Sequence, residues 1–289
     1  MSRPVVTPSS APRSTALVSL TDLKTYLGIS GSSLDATLTA YLDATYAAFS
    51  EQIGRPLARA SYVEMLPGEG GHYLLLSRWP VESVASVTLG IDDPETVTAA
   101  DYSIASTGRA GSPRRDRLYC ADGWSYTYDR ATRGGLDSVA AGNAPLSYTA
   151  TYTAGYLMPD QFEAWTATDA RTAATWTRSS DPTVLLRFEC TTAGTTGASE
   201  PTWPTTVGGY VNDGTAVWTA REASELPADL REAAKVTASS WYRGDQDRDS
   251  AIKRERGVDG DEIEYFDTAA TASAQSLPLV AVRTLERYR

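Results

Sequence analysis

Residues 192–219 read TAGTTGASEPTWPTTVGGYVNDGTAVWT, a block rich in Gly, Thr and Trp. The block lies between a strand-like segment that ends YTAGYLMP and a helix-like segment that begins ELPADLREAAK. Its glycines permit the positive φ angles of tight turns, and Asn212-Asp213-Gly214 is a strong turn signal. This pattern predicts a small β module inserted into a loop of a different domain.

Helical patterns flank this block on both sides. The spacing of apolar residues and the capping signals predict four helices, from Ser19 to Gly28, from Ser32 to Gly54, from Pro227 to Gly244 and over the C-terminal SLPLVAVRTLERYR. In the last of these, Leu279, Val282 and Leu285 share one side.

Strand patterns fill the region between the second and third helices. The short Tyr-, Val- and Leu-rich runs are SYVEML, HYLLL, VASVTL, DYSI, RLYC and LSYTATY, separated by Gly, Pro and Asp turns. We therefore predict an α+β fold: a small helical bundle with an antiparallel β layer, plus the inserted all-β module. Residues 1–16 have the composition of a disordered tail, and the alternation at residues 262–265 indicates an extended arm or hairpin.

Composition excludes several classes of protein. The chain has 289 residues and a formal net charge of -10, which argues against a protein whose main task is to grip a nucleic-acid backbone. Cys120 and Cys190 are far apart and form no CxxC pattern, so neither a disulfide framework nor a zinc site is expected. No apolar run is long enough to span a membrane.

No group of residues predicts an active site or a cofactor, so we expect no enzyme. The single histidine, His72, lacks a Ser, Cys or metal-ligand partner. The acidic run of Asp259, Asp261, Glu262 and Glu264 lacks the ligand spacing of an EF-hand, and a solvated arm is favoured over a cation site.

Two sets of residues are candidates for binding. The first is a basic loop that contacts a protein or DNA, or is merely solvated: Arg109, Arg114, Arg115 and Arg117. The second is an aromatic set on the insert that stacks on sugar rings or packs a core: Trp203, Tyr210 and Trp218.

The order of five phrases resembles the head-tail connector, or adaptor, proteins of tailed bacteriophages. The phrases are SEQIGRPL, LLLSRWPVESVASV, YTATYTAGYLMP, LPADLREAAKVTASSWYR and LPLVAVRTLERYR. In that family the third phrase is followed closely by the fourth, whereas here residues 160–224 stand between them. The inserted block itself resembles a small module of phage virion proteins that is often likened to carbohydrate-binding domains.

The resemblance implies a domain organisation. Residues 1–16 would be the disordered tail, residues 17–159 and 225–248 the adaptor domain, residues 160–224 the insert, and residues 249–289 an extended arm with a terminal helix.

The resemblance also implies a function. Such proteins form homo-oligomeric rings, about twelve-fold if they match the portal, at the head-tail junction of the virion after assembly in the host cytoplasm. The implied partners are the portal, a downstream stopper or tail-terminator protein, and double-stranded DNA that passes without specific binding; no membrane is involved. The implied portal-docking residues are Leu279, Val282, Arg283, Leu285, Arg287, Tyr288 and Arg289. The alternatives are a tail or capsid-surface adhesin whose insert binds host glycan and, less favoured, a hydrolase with an attached sugar-binding module.

Overall fold

The computed structural model describes residues 5–90, 94–106, 115–125, 148–250, 254–256, 262–264 and 277–289. The chain divides into two compact units. The helical unit comprises residues 15–56, 158–160 and 226–289, and the β unit comprises residues 1–14, 57–157 and 161–225. Helices and largely antiparallel sheets thus occupy separate parts of the chain, so the predicted α+β class is confirmed.

Segments from both ends of the chain build the helical unit. Its helices are α1 (Leu20–Leu27), α2 (Asp35–Ile53), α3 (Ala228–Ser250) and α4 (Leu279–Leu285), the last continued by a 3-10 turn at Glu286–Tyr288. Helix α3 contacts the other three helices, and α2 also contacts α1 and α4. Burial of Leu38, Phe49, Leu230 and Leu285 provides the apolar interior of this bundle.

The helix ends follow local capping in part. The Ser19 hydroxyl accepts the Asp22 N–H at 3.0 Å, and Gly28 ends α1 with a φ of 71°, both as predicted. Helix α2 begins at Asp35, later than the Ser32 signal predicts. Helix α3 continues to Ser250, so the predicted stop at Gly244 is wrong. A glycine ends a helix only where it adopts a left-handed conformation, and Gly244 does not.

The β layer contains two antiparallel sheets. The first has the order β1-β2-β8-β4-β5, formed by β1 (Val5–Pro8), β2 (Ala60–Leu66), β4 (Val81–Leu89), β5 (Glu95–Thr96) and β8 (Tyr148–Ala154). The second has the order β3-β7-β6, formed by β3 (Tyr73–Leu75), β6 (Tyr102–Ser106) and β7 (Arg115–Cys120). Their common core includes Val87, Leu118, Trp124 and Tyr152.

The N-terminal segment differs from the predicted disordered tail. Strand β1 pairs with β2 from Val5 opposite Met65 to Pro8 opposite Tyr62. The Ser10 hydroxyl then accepts the Ser61 N–H at 3.0 Å. Pairing with β1 satisfies the backbone hydrogen-bonding groups along the edge of β2. The composition of residues 1–16 alone does not reveal this distant partner.

A buried carboxyl group lies inside the β layer. Glu64 of β2 is fully buried and accepts hydrogen bonds from the Tyr152 hydroxyl at 2.5 Å and from the Ser77 N–H at 3.1 Å. Burial, together with the neighbouring Glu64, raises the pKa of Tyr152. This network connects β2 to β8 and to the segment after β3.

The inserted segment has sheets and a core of its own. One sheet has the order β11-β12-β15-β14, formed by β11 (Trp176–Arg178), β12 (Arg187–Thr192), β14 (Tyr210–Asp213) and β15 (Ala216–Arg221). A second pairs β10 (Ala170–Arg171) with β13 (Gly194–Thr195). The core residues are Phe188, Cys190, Trp203, Ala216, Trp218 and Ala220.

Neighbouring strands mark the two ends of the insert. Strand β9 (Tyr156–Leu157) runs parallel to β16 (Ser224–Glu225), so the chain leaves the β layer and returns to it at adjacent positions. Two ion pairs secure the returning chain: Arg115 with Glu222 at 2.9 Å and Arg187 with Glu225 at 2.5 Å. These contacts are consistent with the grouping of the insert and the β layer in one unit.

An arginine joins the insert to the β layer. Arg59 forms a two-point ion pair with the buried Glu82, and its guanidinium lies 5.0 Å from the ring centre of Trp176 on β11. The cation therefore contacts the first sheet and the insert at once.

The charged region after α3 contains a short hairpin. Strand β17 (Arg254–Arg256) pairs antiparallel with β18 (Glu262–Glu264), which confirms the hairpin prediction for these residues.

Candidate functional site

The C-terminal helix α4 is packed into the helical unit. Ala281 and Leu285 are fully buried, and Tyr288 is nearly so. The Tyr288 hydroxyl donates to Asp229 at 2.7 Å, and Arg287 forms an ion pair with the same carboxylate at 3.1 Å. The inward face therefore follows residues 281, 285 and 288.

This packing corrects the predicted apolar face of α4. The sequence places Leu279, Val282 and Leu285 together as a surface for a partner, but Leu285 is buried in the chain's own bundle. Leu279 and Val280 are each 64% exposed, and Arg283 and Arg289 are also exposed. We call Leu279, Val280 and Arg283 the outer face of α4.

Two of the three candidate aromatic residues on the insert lie in its core. Trp203 stacks on Phe188 with ring centres 4.1 Å apart and meets Trp218 edge-on at 5.9 Å. Both tryptophans are buried, so neither presents a ring to a sugar. Tyr210 is 71% exposed and is the member of the set that a ligand can reach.

A carboxylate that the sequence analysis named only as part of a turn organises the insert. Asp213 is 3% exposed and accepts three N–H groups: Gly197 at 2.7 Å, Trp165 at 2.8 Å and Trp218 at 3.0 Å. The turn signal at Asn212-Asp213-Gly214 located this residue but not its distant partners. The Asp213 side chain therefore gives the TAGTTG and DGTAVW phrases a shared structural role.

The basic loop is only partly described. Arg109 and Arg114 lie outside the described residues. Arg115 is half-buried and paired with Glu222, so its charge stabilises the insert junction. Arg117 pairs with Asp116 at 3.0 Å, and its guanidinium lies 5.4 Å from the ring centre of Tyr73.

A second exposed surface was missed by the sequence analysis. Tyr73, Leu75 and Tyr119 project from the outer side of the β3-β7-β6 sheet, and we call them the aromatic face. The phrase HYLLL held the signal: Leu74 and Leu76 are buried, so the alternation of a strand turns Tyr73 and Leu75 outward.

In the part of the chain that the structure describes, the remaining chemical candidates form no catalytic grouping. His72 is exposed, and its ring nitrogen lies 3.1 Å from the Cys120 carbonyl oxygen. Both cysteines are free and buried, and burial raises the pKa of the Cys190 thiol. Asp259 and Asp261 fall outside the described residues. Among the residues that are described, no three His, Cys, Asp or Glu side chains are placed to hold a metal ion.

Within the described ranges, no helix combines the length and the apolar composition that a bilayer span requires.

Comparison with known proteins gives structural likenesses only. No protein-family model and no curated protein matches the chain. The structure is similar to a chain from the "Neck of empty GTA particle computed with C6 symmetry", at 14% identity and a TM-score of 0.46, with 99% of this chain and 95% of the other covered.

Two further structures of the same kind are similar. One is the "Neck of native GTA particle computed with C12 symmetry", at 16% identity and a TM-score of 0.42, with coverage of 99% and 94%. The other is the "Virion of native gene transfer agent (GTA) particle", at 16% identity and a TM-score of 0.43, with coverage of 98% and 94%. At TM-scores below 0.5, these likenesses define neither the fold nor the role of this chain.

Proposed function

We propose that the chain is a structural virion protein, a head-tail connector that forms a ring beneath the portal and joins the capsid to the tail. One observation carries the proposal: three phrases on which the family resemblance rests come together in a single bundle. They lie on α2, α3 and α4, and these three helices contact one another although they come from distant parts of the chain. A shared structural unit gives a physical reason for their order and spacing.

The negative charge of the chain suits a ring that lines a channel for DNA. At a net charge of -10, the chain as a whole repels the phosphate backbone of DNA. Several of its arginines are engaged by neighbouring carboxylates, as Arg59, Arg115 and Arg187 show. A ring of such subunits allows DNA to slide through during packaging and ejection without adhering.

We assign portal docking to the outer face of α4. Its apolar pair, Leu279 and Val280, is exposed while the opposite side of the helix is anchored by Leu285 and Tyr288. Burial of exposed apolar side chains in a partner groove stabilises a complex, and Arg283 can pair with acidic groups at its rim. In this arrangement the docking element is a helix held on the bundle, and the polar segment before it need not act as a reaching arm.

The alternative, a glycan-binding adhesin, receives less support. Two of its three proposed contact residues, Trp203 and Trp218, form the core of the insert. Tyr210 alone is a small basis for sugar recognition.

The test is binding to capsids that carry the portal but lack the neck. Purified protein is mixed with such capsids and imaged by electron cryomicroscopy. A ring on the channel axis at the portal vertex is expected. Density at the capsid periphery, or the absence of binding, would contradict the connector role.

Variants then test the docking surface. Leu279→Ser combined with Val280→Ser should leave the fold intact, because both side chains are exposed, and should reduce the occupancy of portal vertices. Leu185→Ser is the matched control, because Leu185 is 80% exposed on the insert. Equal occupancy for both variants would show that α4 is not the anchor.

A further inference from the structure

We propose that the aromatic face is the contact between neighbouring copies of this chain. This inference rests on the proposed function, because it assigns the subunit interface of the ring. The surface consists of Tyr73 and Leu75 on β3 and Tyr119 on β7, all on the outer side of the β3-β7-β6 sheet.

The aromatic face differs from an ordinary sheet surface because its apolar side chains are exposed to solvent. Tyr73 is 51% exposed, Leu75 56% and Tyr119 38%. The solvent side of an antiparallel sheet normally carries polar residues, with apolar residues on the core side only. Strand β3 is instead apolar on both sides, because Leu74 and Leu76 fill the core beneath it. A cluster of exposed apolar side chains on one sheet surface is a candidate contact surface for another protein.

Contacts within the face hold its side chains in place. The rings of Tyr73 and Tyr119 lie 5.5 Å apart, and the Arg117 guanidinium sits over Tyr73. Asp116 forms an ion pair with the same guanidinium at 3.0 Å. Side chains ordered before binding lose little entropy on association, and Tyr and Arg are enriched among residues that dominate interface energies.

Charge identifies a second copy as the occupant. Each copy carries a net charge of -10, so two copies repel one another over most approaches. The three side chains of the aromatic face are uncharged, and beside them, among the described residues, the cation of Arg117 is paired with Asp116. The electrostatic repulsion between two copies of this acidic chain is therefore lowest when they associate through this surface.

The edges of the same sheet favour a ring over a closed pair. In the described part of the chain, β3 and β6 each pair on one side only, and they lie at opposite ends of the sheet order. Open edges are normally covered in stable proteins. A contact that brings β3 of one copy towards β6 of the next is heterologous, and heterologous contacts form a ring when the rotation between copies closes.

The first experiment measures assembly. Tyr73→Thr combined with Leu75→Thr replaces exposed side chains with β-branched residues that suit a strand. We expect the wild type to form rings and the double variant to remain monomeric under the same conditions, as judged by analytical ultracentrifugation and electron microscopy. Tyr210→Thr alters a tyrosine on the insert that is more exposed than Tyr73, and this variant should assemble like the wild type. A double variant that still assembles normally would overturn the interface, while wild-type rings would keep the connector proposal intact.

The second experiment identifies the occupant without relying on disruption. A photo-crosslinking amino acid placed at position 73 is irradiated in free protein and in portal-bound particles, and position 185 serves as the control. Crosslinks between copies of this chain, mapped by mass spectrometry, are expected from position 73 alone. Crosslinks to the portal or to a downstream protein, or none at all, would overturn the inference. Wild-type protein that forms no ring, free or on portal-bearing capsids, would contradict the proposed function itself.

Discussion

Asp213→Asn should open the insert locally while the helical unit stays folded. The buried carboxylate of Asp213 accepts the Gly197 N–H with one oxygen and the indole N–H groups of Trp165 and Trp218 with the other. Asparagine has the same shape, but one of its two positions is an NH2 donor. In either orientation that donor faces an N–H group, and a buried donor loses its acceptor.

The loss of local stability in Asp213→Asn can be estimated from the hydrogen bonds that remain. In the better orientation the amide oxygen keeps both indoles, and the Gly197 bond is lost. Losing a hydrogen bond to a charged acceptor costs about 1.5 to 3 kcal/mol. The two surviving bonds weaken because their acceptor is now neutral. A total of about 3 kcal/mol corresponds to a change of about a hundredfold in the local opening equilibrium.

Hydrogen exchange measured by mass spectrometry resolves this change by region. Amides of β12, β14 and β15 should exchange faster in Asp213→Asn, and amides of α2 should be unchanged, because exchange reports local opening. The matched control is Asp181→Asn, which alters an exposed turn carboxylate bound to Thr183. If the two variants leave the insert equally protected, the three-donor account of Asp213 is refuted.

Three further predictions concern burial, backbone and pH. Trp203→Ala should cost about 3 to 5 kcal/mol of insert stability by opening a cavity, measured by hydrogen exchange, with no glycan-binding activity to lose. Gly155→Ala should cost more than about 2 kcal/mol in thermal unfolding, because φ is +107° and a Cβ would lie 2.5 Å from the Ala58 carbonyl oxygen. Tyr152 has a raised pKa in the folded state, so its contribution to stability is complete below the ordinary tyrosine pKa and is lost as pH rises above it. Thermal melts should therefore show a steeper alkaline loss for the wild type than for Tyr152→Phe, which is itself less stable at neutral pH because Glu64 loses a donor.

Controls separate these effects from general damage. Gly31→Ala also places a side chain at positive φ, but in open space, so it should cost less than Gly155→Ala. A Gly155→Ala variant as stable as Gly31→Ala would contradict the steric argument. If the melting temperatures of the wild type and Tyr152→Phe fall equally steeply with pH in the alkaline range, Tyr152 is not the titrating group. Glycan binding by the wild type that disappears in a folded Trp203→Ala variant would favour the adhesin alternative.

Local signals in the sequence predicted most elements of the fold. The cap at Ser19 and the stop at Gly28 act within one helical turn, and strand alternation in SYVEML and YTATY turns one face of each strand inward. Such signals depend on a residue and its near neighbours, so they can be interpreted without knowledge of the tertiary structure. The α+β class followed from them.

Tertiary structure decided what these elements present to a partner. Helix α4 has apolar residues on more than one side, and only packing on α2 and α3 determined that Leu285 is buried while Leu279 and Val280 are exposed. Trp203 and Trp218 suit a sugar platform or a core equally well in sequence, and the insert's own sheet placed them inside. The N-terminal strand and the three donors to Asp213 likewise come from residues distant in sequence. Burial and long-range hydrogen bonds depend on which segments meet in space, and no local pattern contains that information.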